Sequence, residues 1–400
     1  MTTSLTPLTR AGFTAAVRAA LRPGATVALG DGVGALRCLD DGGSVGAALS
    51  AAASEVGSVR LVLGWLPAPI DGLDADAFAE VVALMPGWGV RDVLRSPKAR
   101  FLPTRLGAIP ALLADVLRPD VLLTRLVRRD GLLQFGTEVS WQRELIDSGT
   151  RTLAVVDTSM VAADAGPALD PSSVEVIGSV GTGPLRVPQR DPEPIHDALA
   201  DAVLRLLPED ARIQYGPGQL GTALLRRAQA PLHIDTGLLT DAVVDLDRRG
   251  LLAGTPSATY LLGSDSLYEW VDGRRILRGL DYTHDLTRLS RGAPLVAVNT
   301  AIEIDQYGQI NVEGLRDKVI GGIGGHPDYC AAARASRRGL SIIAVPRQVN
   351  GRSPLVEQLS RPASTPAYDV DLIVTESGHV DLRAADWSQR RALIAELFTE

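Results

Sequence analysis

Short apolar runs recur along the chain, with longer stretches of helical spacing between them. In the first half "ATVALG" (25–30), "VRLVLGW" (59–65), "DVLLTRLV" (120–127) and "TLAVVDTS" (152–159) have the length and aliphatic content of buried strands. "DADAFAEVVALM" (74–85) and "PALLADVL" (110–117) place apolar residues at helical intervals. The second half restarts the pattern. "HDALADAVLRLL" (196–207) reads as an amphipathic helix, followed by strand-like "ARIQYG" (211–216), "LVAVNTAIEID" (295–305), "GLSIIAVP" (339–346) and "VDLIVTESG" (370–378). Strands alternating with helices predict an α/β architecture. "GTGPLRVPQRDPEP" (181–194) is rich in turn formers and has no periodicity, so it predicts a boundary between domains of residues 1–190 and 191–400.

Composition narrows the class. Hydrophobic residues are 46% and charged residues 22%, the balance of a globular protein, and aromatics are only 4%, so the cores must be aliphatic. A net charge of -7 with no basic half gives no sign of a nucleic-acid partner. The two cysteines, Cys38 and Cys330, form neither a disulfide framework nor a zinc spacing, and no two of the five histidines are placed as a metal pair. No apolar run approaches the ~18 residues of a membrane span, and the N-terminus has no secretory pattern. The expectation is a cytoplasmic protein without a metal or a membrane partner.

Three segments carry candidate chemistry. "GPGQLG" (216–221) matches G-x-G-x-x-G between a strand and a helix. No acid closes a second strand in the usual way, which favours a plain strand-to-helix turn over a nicotinamide site. A turn lining a cleft for another phosphate-bearing ligand stays open. "GGIGGHPD" (321–328) is the densest glycine cluster, and its successive N–H groups could cradle an anion or oxyanion. "AVNTAIEIDQYGQIN" (297–311) reads as strand, turn and strand, with Asn299 and Glu303 on one strand face. No G-x-S-x-G elbow is present.

Taken in order, the blocks "IQYGPGQLGTALL" (213–225), "HIDTGLLTD" (233–241), "LLGSDSLYEWV" (261–271), "LVAVNTAIEIDQYGQINVEG" (295–314), "GGIGGHPDYCAAARASRRGLSIIAVP" (321–346) and "DLIVTESGHVDLR" (371–383) resemble the acetyl-CoA hydrolase/transferase family of single-chain CoA-transferases. "RPDVLLTRLVRRDGLLQFGTEVS" (118–140) extends the resemblance more weakly into the first half. The resemblance implies two similar CoA-transferase-like α/β domains with an inter-domain active-site cleft, coenzyme A as the acyl-CoA substrate, and a homodimer. It implies a glutamate that attacks the thioester to form a glutamyl-CoA intermediate. It implies an oxyanion held by an asparagine and a glycine N–H, here Asn299 and Gly324, with Gly325 as the neighbouring choice. Gly216, Gly218, Gly322, Gly324 and Gly325 would line the CoA site.

One departure changes the expected chemistry. The family reads G-I-H-[TS]-E and then [ST]-D-G, and the aligned run here is His233-Ile234-Asp235-Thr236-Gly237 followed by Thr240-Asp241-Ala242. The nucleophilic glutamate falls on Gly237. His326, Pro327 and Pro354 also depart from the family pattern. Three readings remain. The chain hydrolyses or otherwise converts a CoA thioester without a glutamyl intermediate, with Asp235 or His233 as base. It is a transferase with a displaced nucleophile, Asp235 first, since Glu376 and Glu303 belong to the ordinary family pattern. Or it is a degenerate paralogue that binds CoA esters.

Overall fold

Seven strands form the sheet of the first unit in the order Ala99–Phe101, Glu80–Ala83, Arg60–Leu63, Thr26–Leu29, Val121–Arg129, Arg151–Asp157 and Val174–Val180, every neighbouring pair parallel. Leu132–Gln134 folds back antiparallel on Val121–Arg129. The computed structural model describes residues 5–399. The helices Arg10–Ala20 and Val45–Val56 bury Phe13, Val17, Val45 and Leu49 against Val27, Leu29, Leu61 and Leu63. The core is aliphatic, as the scarcity of aromatics requires.

Residues 74–85, expected as a helix, are a short turn at Ala75–Ala77 and the strand Glu80–Ala83. Val81 and Val82 are β-branched, fully buried or nearly so, and paired on both sides, so sheet packing overrides the helical spacing. "PALLADVL" is helical, closing in a wide π-type turn over Leu112–Leu117.

The sheet reverses its chain order where Thr26–Leu29 meets Val121–Arg129. There the stretch 30–34 leaves the strand, carries the buried Asp31 and packs against the buried Glu138. Asp31 accepts from Tyr260 Oη at 2.7 Å, Trp141 Nε1 at 3.0 Å and the Trp65 amide at 3.2 Å. Glu138 accepts from the Gly34 amide and Thr137 Oγ1, both at 2.9 Å. Burial pushes Asp31 up to about 6 and Glu138 up to about 7.

The second unit has a five-stranded parallel run, His233–Ile234, Arg212–Tyr215, Leu295–Asn299, Leu340–Ala344 and Leu372–Val374, with His379–Asp381 antiparallel at one edge. The helix His326–Ala335 packs Tyr329, Ala332 and Ala333 onto Leu295 and Ala297. The stretch 295–305 is not one strand. It leaves the main sheet after Asn299, and Glu303–Asp305 joins a separate small sheet with Ile310–Asn311 and Leu355–Val356. The Ile302 amide already donates to Asn311. Asn299 and Glu303 therefore share no face, although the turn between 305 and 310 is the hairpin expected.

The boundary between the units falls at Val187/Pro188, and the first unit also claims Thr259–Asp281. The sequence pattern places that segment in the second half. Tyr260 and Tyr268 hold it in the first unit, Tyr260 through Asp31 and Tyr268 by donating to the Leu185 carbonyl at 2.6 Å. Arg105–Gly107 belongs conversely to the second unit. Among the described residues no helix is long and apolar enough to cross a membrane.

Candidate active site

The parallel strands of the second unit carry Gln214 and Asn299 toward their C-terminal ends, the end of such a sheet where ligands bind. The two side-chain amides pair reciprocally. Asn299 Nδ2 donates to Gln214 Oε1 at 3.1 Å, and Gln214 Nε2 donates to Asn299 Oδ1 at 3.2 Å. Gln214 is buried and fixes the orientation of the half-buried Asn299. Among the described residues the second Nδ2 hydrogen has only Cys330 Sγ, at 3.7 Å, a weak acceptor. An oxyanion is the better partner for it.

The glycine loop 321–325 feeds the helix His326–Ala335, with Gly325 at its cap and Pro327 in its first turn. Free N–H groups and the helix dipole make such a terminus favourable for negative charge. Gly324 has φ +63°, a conformation glycine adopts without strain. The Leu106 amide donates to the Gly324 carbonyl at 2.9 Å, and the Gly107 amide to Asp328 Oδ2 at 3.0 Å. Because a trans peptide sets its N–H opposite its C=O, anchoring the Gly324 carbonyl also aims the Gly325 amide. His326 next door is fully engaged. Its Nε2 donates to the Thr300 carbonyl at 3.2 Å, so its Nδ1 accepts from Thr365 Oγ1 at 2.7 Å, and burial pushes it down to about 4.

Gly237 lies between the strands His233–Ile234 and Leu238–Thr240. A Cβ placed on it would lie 3.1 Å from His284 Cε1, 3.3 Å from His284 Nε2 and 3.7 Å from Tyr329 Cε2. A Cβ on Gly325 would collide with the same His284 Nε2. The imidazole thus stands against the two glycines that the resemblance singles out. Tyr329 packs edge-on to it, with ring centroids 4.9 Å apart, and the Tyr329 hydroxyl donates to the Thr283 carbonyl. His284 Nδ1 and Thr283 Oγ1 are 2.9 Å apart, whereas Nε2 is buried with no hydrogen-bond partner among the described residues. Burial, aided by the charge of Arg288, pushes His284 down to about 3, so the ring is neutral.

The other sequence candidates lie elsewhere or are already occupied. Asp235 follows its strand, 6% exposed, with both oxygens taken by Arg212 Nη1 (2.8 Å), Arg288 Nη1 and Nη2 (2.9 Å each) and Ser257 Oγ (2.7 Å). Burial works to raise its pKa, but hydrogen bonds from Arg288 and Ser257 and the charges of Arg288 and Arg212 outweigh it, leaving the group below its ordinary value. It is an ion-pair hub, not a free base. His233 is exposed at the opposite end of its strand, where it lines a surface cleft of 790 Å³ with Asp210, Arg227 and Pro231. Glu303 is buried and accepts from Asn311 Nδ2 and from the Ser360 amide and hydroxyl, and Glu376 accepts from the Arg347 amide. Gly216 and Gly218 sit in the open turn before helix Gln219–Arg227, with nothing near their Cβ positions. Gly221 packs onto the Gly216 carbonyl, where a Cβ would collide. Gly322 is half-buried in the 321–325 loop.

Residues 263–397 match the acetyl-CoA hydrolase/transferase C-terminal domain. The 4-hydroxybutyrate coenzyme A transferase of Clostridium kluyveri is 25% identical over 333 residues, covering 78% of this chain and 77% of that protein. Over residues 263–397 the chain matches the acetyl-CoA hydrolase/transferase family. An acetyl-CoA hydrolase of Candida albicans is also similar, 25% identical over 200 residues, 46% of this chain and 37% of that protein. The same fold is seen in RipA from Yersinia pestis, which superposes with a TM-score of 0.85 at 23% identity over 96% of this chain and 93% of its own. It is seen again in the 4-hydroxybutyrate CoA-transferase of Porphyromonas gingivalis, with a TM-score of 0.73 at 19% identity over 96% and 92% of the two chains.

Gln214, His284, Tyr329 and the arginines that hold Asp235 escaped the sequence reading. Gln214 carried a signal, since an amide in a buried strand needs a partner. His284, alone in "DYTHD", carried none.

Proposed function

We propose that this enzyme cleaves an acyl-CoA thioester by direct attack of water, without a glutamyl-CoA intermediate. The observation that carries the reading is Gly237. The resemblance aligns it with the attacking glutamate, and a side chain there would begin 3.1 Å from the His284 ring. A site without that nucleophile still has Asn299 Nδ2 and the amides of the Gly324–Gly325 turn for the charge that develops on the thioester oxygen. One such donor is worth about 100- to 1000-fold in rate. Water oxygen bonds to the carbonyl carbon, the C–S bond breaks, and the water proton ends on the CoA sulfur, giving a carboxylic acid and free CoA. Asp235 supplies neither base nor nucleophile in this reading, because its oxygens are committed to Arg212, Arg288 and Ser257.

The test is thiol release from a panel of acyl-CoAs, with and without acetate. Release independent of acetate supports the reading. Transfer of CoA to acetate, or binding across the whole panel without turnover, overturns it.

A further inference from the structure

A buried polar atom without a hydrogen-bond partner costs about 1–3 kcal/mol, and a fold keeps few of them. His284 Nε2 is such an atom, in a residue only 3% exposed. It lies against Gly237 and Gly325, two half-buried residues without side chains, with the Tyr329 ring alongside.

The surroundings decide which form of the ring suits this place. Three charged or titratable neighbours, Arg288, Asp235 and Tyr329, act on or pack against it, and Asp328 lies in the first turn of the adjoining helix. The Asp235 charge is already matched by Arg212 and Arg288. Gly325 adds the positive end of the helix His326–Ala335. An imidazolium would be poorly stabilised here. A general base must become one during the reaction, whereas a neutral hydrogen-bond donor changes no charge. The Thr283 hydroxyl, 2.9 Å from Nδ1, can donate to that nitrogen and leave the proton on Nε2.

Resting on the water route above, we propose that His284 is a catalytic residue, a neutral imidazole whose Nε2–H donates to the thioester oxygen beside the Gly325 amide. No proton leaves the ring. The oxygen gains charge as water adds and loses it as the C–S bond breaks, with Nε2–H bonded to it throughout. His284 then supplies an oxyanion donor beyond Asn299 and the glycine amide, at a position where the ring replaces a nucleophile with an electrophile.

The tautomer is read directly in the full-length protein labelled with 15N-histidine, at a pH of about 8. A pyrrole-type Nε2 signal for His284, assigned by its loss in His284→Leu, is expected, and a pyridine-type signal overturns the proposal. A non-hydrolysable thioether analogue of acyl-CoA should shift that signal, and binding of the analogue without a shift overturns the contact. In turnover, His284→Leu should lower kcat by about 100-fold or more with KM within about threefold. His284→Gln, which keeps an N–H near the same point, should recover at least a tenth of the activity. Equal loss in both variants, each folded by circular dichroism, makes the residue structural. If the wild-type protein releases no thiol from any acyl-CoA, the water route fails, while the nitrogen signal and its response to the analogue still decide the role of His284.

Discussion

His284 and position 237 compete for one place: a Cβ on Gly237 would stand 3.1 Å from the ring's Cε1, closer than packed carbons ordinarily approach. Gly237→Ala should fold with a loss of about 1 kcal/mol, as modest overpacking does. Gly237→Glu should lose more and form no covalent CoA adduct on incubation with acyl-CoA, because the His284 ring crowds the start of that side chain. Gly237→Glu combined with His284→Ala relieves that crowding and should give the adduct. Intact-protein mass spectrometry checks all three. An adduct in the single Gly237→Glu variant would show that the ring does not block the position.

Asp235 is predicted to matter for stability and not for chemistry. Asp235→Asn leaves Arg212 and Arg288 facing each other without their shared carboxylate, and should cost about 3 kcal/mol in urea unfolding. The folded fraction should keep its kcat. The lowered pKa gives the pH sign: this contribution is present above the ordinary value of 3.8 and is lost as pH falls through the lower folded value. A large drop in kcat with unchanged stability would return Asp235 to the chemistry.

The amide pair makes a graded prediction. Asn299→Ala removes a donor and should lower kcat about 100- to 1000-fold. Gln214→Leu leaves Asn299 in place but frees its rotation, and should lower kcat by a smaller factor, on the order of 10-fold. Steady-state kinetics with KM measured separately distinguishes the two. Equal effects would mean that Gln214 itself meets the substrate.

Glu138 in the first unit should set an alkaline stability limit. Its folded pKa is raised from 4.5 to about 7, so the folded chain holds the proton more tightly than the unfolded chain. Stability is therefore greatest below the ordinary value, falls as pH rises toward about 7, and stays reduced above it. Glu138→Gln removes the titration and should be more stable than wild type by about 2 kcal/mol at a pH near 8.5, with little gain near pH 4.5. Thermal unfolding at the two pH values measures the difference.

The strands were legible where apolar runs are short, β-branched and bounded by turn formers, as at Thr26–Leu29, Leu295–Asn299 and Leu340–Ala344. The strand Glu80–Ala83 was not, because helical spacing in "FAEVVALM" is local information, while its two partner strands lie outside that window. The break after Asn299 was hidden for a related reason: "AVNTAIEID" alternates equally well in one sheet or two. At the candidate site, Asn299 and the 321–325 loop were legible as residue types with known chemistry. Asp235 was legible as an acid but not as a spent one, since its arginines come from positions 212 and 288. His284 gains its meaning only from what two distant glycines leave beside it.

The segment Thr259–Asp281 sets an order of events during synthesis. The buried carboxylate of Asp31 lacks the Tyr260 hydroxyl until residue 260 has left the ribosome, and by then Arg212–Tyr215 and His233–Ile234 of the other unit have already emerged. The first unit begins first and finishes late. A chain cut at the proline-rich stretch near residue 190 would strand that carboxylate without its 2.7 Å donor, so the two halves of the sequence are not two independently completed folding units.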